Sequence, residues 1–230
     1  MKRIIISCAA SKSKEANKMI DASGKEIIFV ANPNFLKDKS RKCLYFKPDD
    51  LIPGKNITWR SYLLEYNLNG NNHLHFSKAA DLYEPPRFPS IYSELVDTFG
   101  WENVFILSAG WGLIRSEFLL PYYNITFSKA KKIDPGFMRK KDDPFLDFNF
   151  LIEDLRSQDE IHFLGGGDYT DLFYSLTGNI MNRKIIHYVK ENIIKKDGYE
   201  YCKYKMKTKD YRIWVYLCAT DLIKDNPNQY

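Results

Sequence analysis

The chain has 230 residues, 44% of them hydrophobic and 15% aromatic, and its 34 Lys and Arg against 29 Asp and Glu leave a net charge of +5. So much apolar material suits one globular domain with a sizeable core and argues against a disordered or fibrous chain, while the mild positive charge leans toward a polyanionic partner. Four scattered cysteines without Cys-x-x-Cys spacing indicate neither a zinc site nor a disulfide framework, and no apolar run suits a signal peptide or a membrane span, so a soluble cytoplasmic protein is expected.

After Lys2 and Arg3, Ile4-Ile5-Ile6 is the unbroken apolar run of a central parallel strand. Ser7-Cys8-Ala9-Ala10-Ser11-Lys12-Ser13-Lys14 follows. Small residues, hydroxyls and lysines past a strand end suit an anion site, with Ser7, Ser11, Lys12 and backbone N–H groups holding a phosphate or sugar hydroxyl. The segment lacks the glycines of a Walker loop, and an exposed basic loop is the competing reading. Ile27 to Ala31 predicts a second strand, stopped by Pro33. Lys37, Lys39, Arg41 and Lys42, against the single Asp38, form a basic cluster beside Tyr45 and Phe46. Thr58 is the expected N-cap of a helix from Trp59 to Tyr66, with Trp59, Leu63 and Tyr66 on one face and Arg60 on another. Residues 33–75 read as an inserted lobe. It either grips a nucleic-acid backbone through Lys37, Lys39, Arg41, Lys42 and Arg60, or is a solvated insertion.

A short helical stretch is expected at Ser77 to Asp81, and an amphipathic helix from Ile91 to Phe99 ends at Gly100. Val104-Phe105-Ile106-Leu107 reads as a buried strand ending at Ser108, and strand, helix and strand in this order form a βαβ unit that favours a parallel sheet. Ala109, Gly110 and Gly112 surround Trp111 in a small-residue turn. Ligands of open α/β sheets sit outside the carboxyl ends of strands, so Ser108, Gly110, Trp111 and Gly112 are expected to wall a pocket; the alternative is a tight turn with Trp111 in the core. Glu117 is the only carboxylate between Glu102 and Asp134. Residues 128–147 predict a mobile basic loop in which Arg139, Lys140 and Lys141 clamp a polyanion.

Ile161 to Leu164 is a third strand opening into Gly165-Gly166-Gly167-Asp168-Tyr169, with a helix from Thr170 to Leu176 after it. Two strands ending in glycine turns are expected side by side at one edge of the sheet, bringing Gly166 and Tyr169 to a ligand. Asp168 is either a working carboxylate or the N-cap of its helix. Further strands are expected at Arg183 to Val189 and, from the alternation of Ile213, Val215 and Leu217, at Tyr211 to Leu217. His162 and His187, inside apolar strands, read as buried structural imidazoles. His73 and His75 lack a carboxylate partner, so no metal is expected. The tail after Asp221 reads as frayed.

The fold class expected is a single α/β domain over residues 1–230, a mostly parallel central sheet flanked by helices with a basic inserted segment. Ser7-Cys8-x-x-Ser11-Lys12, Leu82-Tyr83, Ile106 through Ile114, Leu120-Pro121-Tyr122 and the late glycine run before Asp168-Tyr169 together resemble the YaaA-like superfamily. That group takes in a peroxide-stress DNA-binding protein and an anti-phage DNA glycosylase. Trp111 stands where the family motif has Tyr, and Glu117 stands near its acidic position. The resemblance implies DNA binding and, in some members, cleavage of a base–sugar bond.

The expectation is therefore a DNA glycosylase acting on a modified phage base, which must extrude its nucleotide into a pocket. Trp111 and Tyr122 would wall the base, and Ser108 with the Gly110 and Gly112 backbone would bind its edge. Glu117 or Asp168 would stabilise an oxocarbenium-like sugar and orient water. Ser11 and Lys12 would hold a flanking phosphate. Neither metal nor organic cofactor is expected. The alternatives are a non-catalytic DNA-binding stress protein and a nucleoside- or nucleotide-processing enzyme acting on small molecules.

Overall fold

The computed structural model describes the chain except Asp38, Lys39, Arg41, Lys131, Glu191, Asn192, the side chain of Asp154 and residues 227–230. In chain order the strands and α-helices are β1 (Lys2–Ser7), β2 (Met19–Ile20), β3 (Glu26–Val30), β4 (Cys43–Phe46), α1 (Trp59–Leu68), β5 (Ser77–Lys78), α2 (Ala79–Leu82), α3 (Ile91–Phe99), β6 (Val104–Ser108), β7 (Gly112–Arg115), β8 (Leu119–Leu120), β9 (Tyr123–Asn124), β10 (Phe148–Asn149), β11 (Glu160–Leu164), α4 (Gly167–Thr177), β12 (Lys184–Tyr188), β13 (Glu200–Lys203) and α5 (Trp214–Lys224). A seven-stranded sheet in the order β10-β7-β6-β1-β11-β12-β13 carries the fold; β6 and β7 pair antiparallel and the other neighbours parallel. The protein is thus α/β.

β1 is central because it is apolar on both faces: Ile4, Ile5 and Ile6 are fully buried, as are Val104 through Leu107 beside them. α1 begins where Thr58 Oγ1 accepts from the Ser61 amide, and it buries Trp59, Leu63 and Tyr66 as its spacing requires. α3 ends at Gly100, whose φ of 86° a glycine adopts without strain. A second, smaller sheet joins β2, β3 and β4, with β9 pairing β3. β3 and β4 pair across residue 33, and Phe29 of β3 meets Trp111 edge-on at 5.3 Å, so this sheet and the large one share a core. Among the described residues no helix is long and apolar enough to cross a membrane.

One expected strand is a helix. Residues 211–217 form a 3-10 turn, Tyr211–Ile213, and the start of α5, which packs on α3. The alternation of Ile213, Val215 and Leu217 is real but short. The buried stripe Val215, Cys218 and Ala219 has helical spacing and continues past the window, and over that length the helical period wins. The loop 128–147, expected to be mobile, is tied down: Thr126 bridges Met138, Arg139 is buried, and the loop ends in β10.

Candidate functional site

β1 has β6 on one side and β11 on the other, all three parallel, so their carboxyl ends share one edge of the sheet. From this centre the crossover through α3 runs to β6 and the crossover through α4 runs from β11 to β12. As right-handed connections in opposite directions, they cover opposite faces. The chain diverges where β1 and β11 end, which is where an open α/β sheet leaves a crevice. Cys8, just past β1, and Tyr169, in the first turn of α4, meet across it: Cys8 Sγ and Tyr169 Oη share a 3.1 Å hydrogen bond.

The glycine run shapes the β11 side. A Cβ on Gly165 would stand 2.2 Å from the Phe163 ring, so only glycine lets the chain fold back there, whereas Gly166 and Gly167 face open space. α4 starts at Gly167, three residues earlier than expected. Its N-cap is Gly166, with no side-chain cap; the Tyr169 amide donates to Gly166 O at 2.9 Å, which leaves the Gly167 and Asp168 amides at the helix start. Asp168 is therefore not the cap. It is exposed and, among the described residues, has neither hydrogen bond nor ion pair.

Three cavities adjoin around this turn, and Asp168 and Lys141 line all of them. The first, about 460 Å³, lies over the ends of β11 and β12 between Tyr188, Lys190, Tyr211 and Trp214. The second, about 740 Å³, has Phe35, Phe127, Lys129, Met138 and Lys140 in its walls. The third, about 240 Å³, runs between Phe127, Phe145 and Asp171. Lys141 is ion-paired with Asp171. The groove has aromatic walls and carries both Lys129, Lys140, Lys141 and Lys190 and the carboxylates of Asp142, Asp143, Asp147 and Asp171, with Asp168, unpaired among the described residues, at the point the three cavities share.

On the β6 side the turn lines none of these three cavities. Trp111 is fully buried between Phe29 and Tyr123, and Ser108 through Leu113 are buried with it. Ser108 Oγ accepts from the amides of Gly110 and Trp111 at 3.2 Å and shares a 2.8 Å bond with Tyr123 Oη. Two buried arginines take up the turn's carbonyls: Arg139 donates to Ala109 O at 2.8 Å, and Arg60 to Gly110 O at 3.0 Å and Trp111 O at 3.1 Å. Each is held by a carboxylate, Arg60 by Asp49 and Arg139 by Asp147. A Cβ on Gly112, at φ 86°, would lie 2.5 Å from Phe148 O.

Comparison of the chain with family models, curated proteins and solved structures returns no match.

The expected site residues thus divide. Ser108, Gly110, Trp111 and Gly112 are core, which corrects the pocket reading in favour of the tight turn, because the second sheet supplies aromatic partners that bury Trp111. Arg60 and Arg139 brace that turn and are not exposed clamps. Glu117 is exposed and follows β7, which runs back from the carboxyl edge, so it sits at the opposite end of the sheet from Asp168, a strand length of roughly 17 Å away. Tyr122 is half-buried, and its amide donates to Asn17 O. Ser7 is buried, with its carbonyl accepting from Tyr92 Oη, and the Ser11 hydroxyl is taken up by donating to Glu84 O; neither residue lines the three cavities. Gly166, Asp168, Lys140 and Lys141 do line the groove. Lys37 and Lys42 are exposed outside it, while Lys39 and Arg41 lie outside the described residues. His162 and His187 are buried and hydrogen-bonded to each other at 3.1 Å.

Tyr188 and Lys190 were legible in principle, since they end a strand parallel to β11 and the rule that selects Gly165 selects them too. Tyr211 and Trp214 are not legible in this way, because the alternation in their segment points to a strand and the segment is a helix start.

Beneath the crevice lies a polar cluster no single motif announces. Tyr83 and Tyr123 share a 2.7 Å hydrogen bond and are fully buried. Burial, with Cys8 beside them, holds the phenols of Tyr83, Tyr123 and Tyr169 far above the ordinary tyrosine range. Lys12 caps the cluster, its Nζ 4.2 Å from the Tyr123 ring centroid. Desolvation pushes its amine down to about 8, partly opposed by Cys8.

Proposed function

We propose that the chain binds DNA along the groove at the α4 N-terminus and hydrolyses a base–sugar bond there, with Asp168 as the working carboxylate. A modified base of phage DNA is the substrate class that the YaaA-like resemblance implies. The observation that carries this reading is the unpaired Asp168 carboxylate at the point common to three adjoining cavities. Cavities of 460 and 740 Å³ fall in the range of about 300–1,000 Å³ that small ligands occupy, so either accepts an extruded nucleotide. Tyr188, Tyr211 and Trp214 offer ring faces for stacking, and the Gly167 and Asp168 amides at the start of α4 with Lys141 and Lys190 suit a phosphate. As the base departs with the bonding electrons, positive charge spreads over C1′ and the ring oxygen of the sugar. A nearby carboxylate stabilises it and directs water to C1′.

The test is incubation with DNAs carrying different base modifications, followed by alkali. Strand breaks with the unaltered chain, lost in Asp168→Asn while DNA binding persists, are expected. Base release unchanged in Asp168→Asn overturns the assignment of the carboxylate, and tight binding without release on every DNA leaves a non-catalytic binder. The 460 Å³ cavity alone would also hold a free nucleotide. Salt separates that reading: affinity for DNA falls steeply as counterions are released, and affinity for a mononucleotide falls little.

A further inference from the structure

We propose that the 460 Å³ cavity holds a terminal phosphate, a phosphomonoester, through the Thr170 hydroxyl, the Gly167 and Asp168 amides and Lys190, so that the nucleotide it takes is a free mononucleotide or the phosphorylated end of a strand. This rests on the reading that the groove takes nucleotides and narrows which ones.

Thr170 is the deciding group. It lies one turn into α4, is 4% exposed, and borders this cavity and neither of the other two. Among the described residues its hydroxyl has no hydrogen-bond partner. It is not sealed from solvent, as the orphaned indole nitrogens of Trp59 and Trp111 are, so the space it faces is the cavity. A hydroxyl left unpaired in so buried a residue is costly, and a ligand oxygen accepting from it removes that cost.

Helix geometry keeps this hydroxyl apart from the carboxylates. Thr170, Tyr174 and Thr177 have the spacing of one helix face, all are buried, and Tyr174 Oη donates to Ile194 O at 2.6 Å, so the face is turned to the β12–β13 connection. That connection gives Val189, Lys190 and Ile193 to the cavity. Lys190 is exposed and, among the described residues, has no ion pair. Asp168 stands two residues before Thr170, about 200° round the helix, on the side where Asp171 pairs with Lys141. Both carboxylates border this cavity too, but from the face that also lines the third one. Two amides, a hydroxyl and an ammonium suit the three free oxygens of a terminal phosphate better than the two of an internal diester. Above about pH 6 the terminal group also carries a second charge for Lys190 and the helix dipole to hold.

Calorimetric titration of the full chain compares deoxynucleoside monophosphates with the matching nucleosides, and short single strands ending in a 5′- or 3′-phosphate with the same strands ending in hydroxyls. The phosphate should tighten binding at least tenfold at pH 7.5, and that gain should shrink at least threefold at pH 5. No histidine lines the cavity, so the change over this range is the phosphate's own. A gain with mononucleotides identifies free nucleotides as the ligand; a gain with strands alone identifies strand ends. Thr170→Val should cut the gain at least fivefold, Thr170→Ser should keep most of it, and nucleosides should bind all three chains alike. If Thr170→Val folds poorly, Lys190→Met, at an exposed position, should still cut the gain at least threefold. A gain under tenfold on every probe, one that does not change with pH, or one that survives both Thr170→Val and Lys190→Met overturns the proposal. Closed circular DNA has no ends, so base release from it without any phosphate gain sinks the phosphate site and leaves the glycosylase reading standing. A phosphate gain without base release on any DNA does the reverse.

Discussion

Replacing Arg139 with Met tests whether this arginine braces the fold or clamps a ligand. Its side chain is 4% exposed and donates to Asp147 at 2.8 and 2.6 Å and to Ala109 O at 2.8 Å, with the guanidinium 4.0 Å from the Phe145 ring centroid. Methionine fills much of the stem's volume but leaves the Asp147 carboxylate, itself 8% exposed, without a counter-charge, and the Ala109 carbonyl without a donor. Removing one partner of a buried pair costs about 3–5 kcal/mol, and an orphaned buried carbonyl adds about 1–3 kcal/mol. Water reaching the loop recovers part of this, so we expect a net loss of about 4 kcal/mol, which for a chain of this size lowers Tm by roughly 8–16 °C. Urea unfolding followed by circular dichroism measures it. Pairing the change with Asp147→Asn should restore much of the loss, because the uncompensated charge is then gone. If Arg139→Met unfolds within about 1 kcal/mol of the unaltered chain yet loses DNA affinity, the bracing role is refuted and the arginine acts as a clamp.

Trp111→Ala should cost about 3–5 kcal/mol in the same unfolding assay, since a large fully buried ring is removed; a loss under about 1 kcal/mol would mean that the ring is not core. Gly112→Ala should destabilise markedly, because its Cβ would meet the Phe148 carbonyl at 2.5 Å and φ is 86°; unchanged stability would contradict that close approach. Burial lowers His162 and pushes His187 down to about 4. The unfolded chain therefore binds more protons below about pH 6.5, and His187 alone should withdraw about 2 kcal/mol of stability between pH 7 and 4.5. His187→Gln should flatten that acid limb, and an unaltered limb would refute the assignment. Double replacement of Lys141 and Lys190 by Ala should reduce the slope of log affinity for DNA against log salt by about 2, and an unchanged slope would place the phosphate contacts elsewhere.

Local pattern in the chain was enough for the central strands, for the Thr58-capped helix and for the helix closed by Gly100, because apolar runs, caps and positive-φ glycines act within a turn or two of their own position. It also put the Gly165–Asp168 turn at the carboxyl edge of the sheet, since the carboxyl ends of parallel strands must share an edge. What an individual side chain does at that edge depended on partners brought from far along the chain. Phe29 arrives from the second sheet to bury Trp111; Asp49 and Asp147 convert Arg60 and Arg139 from candidate clamps into braces; β7 carries Glu117 to the other end of the sheet. Val215 is a different case: its neighbours over residues 211–217 alternate like a strand, but the stripe it forms with Cys218 and Ala219 has helical spacing, and that stripe is buried in a helix packed on α3. Secondary structure is written in short-range sterics and periodicity, while burial and charge pairing are set by contacts between distant segments, and only the assembled fold decides those.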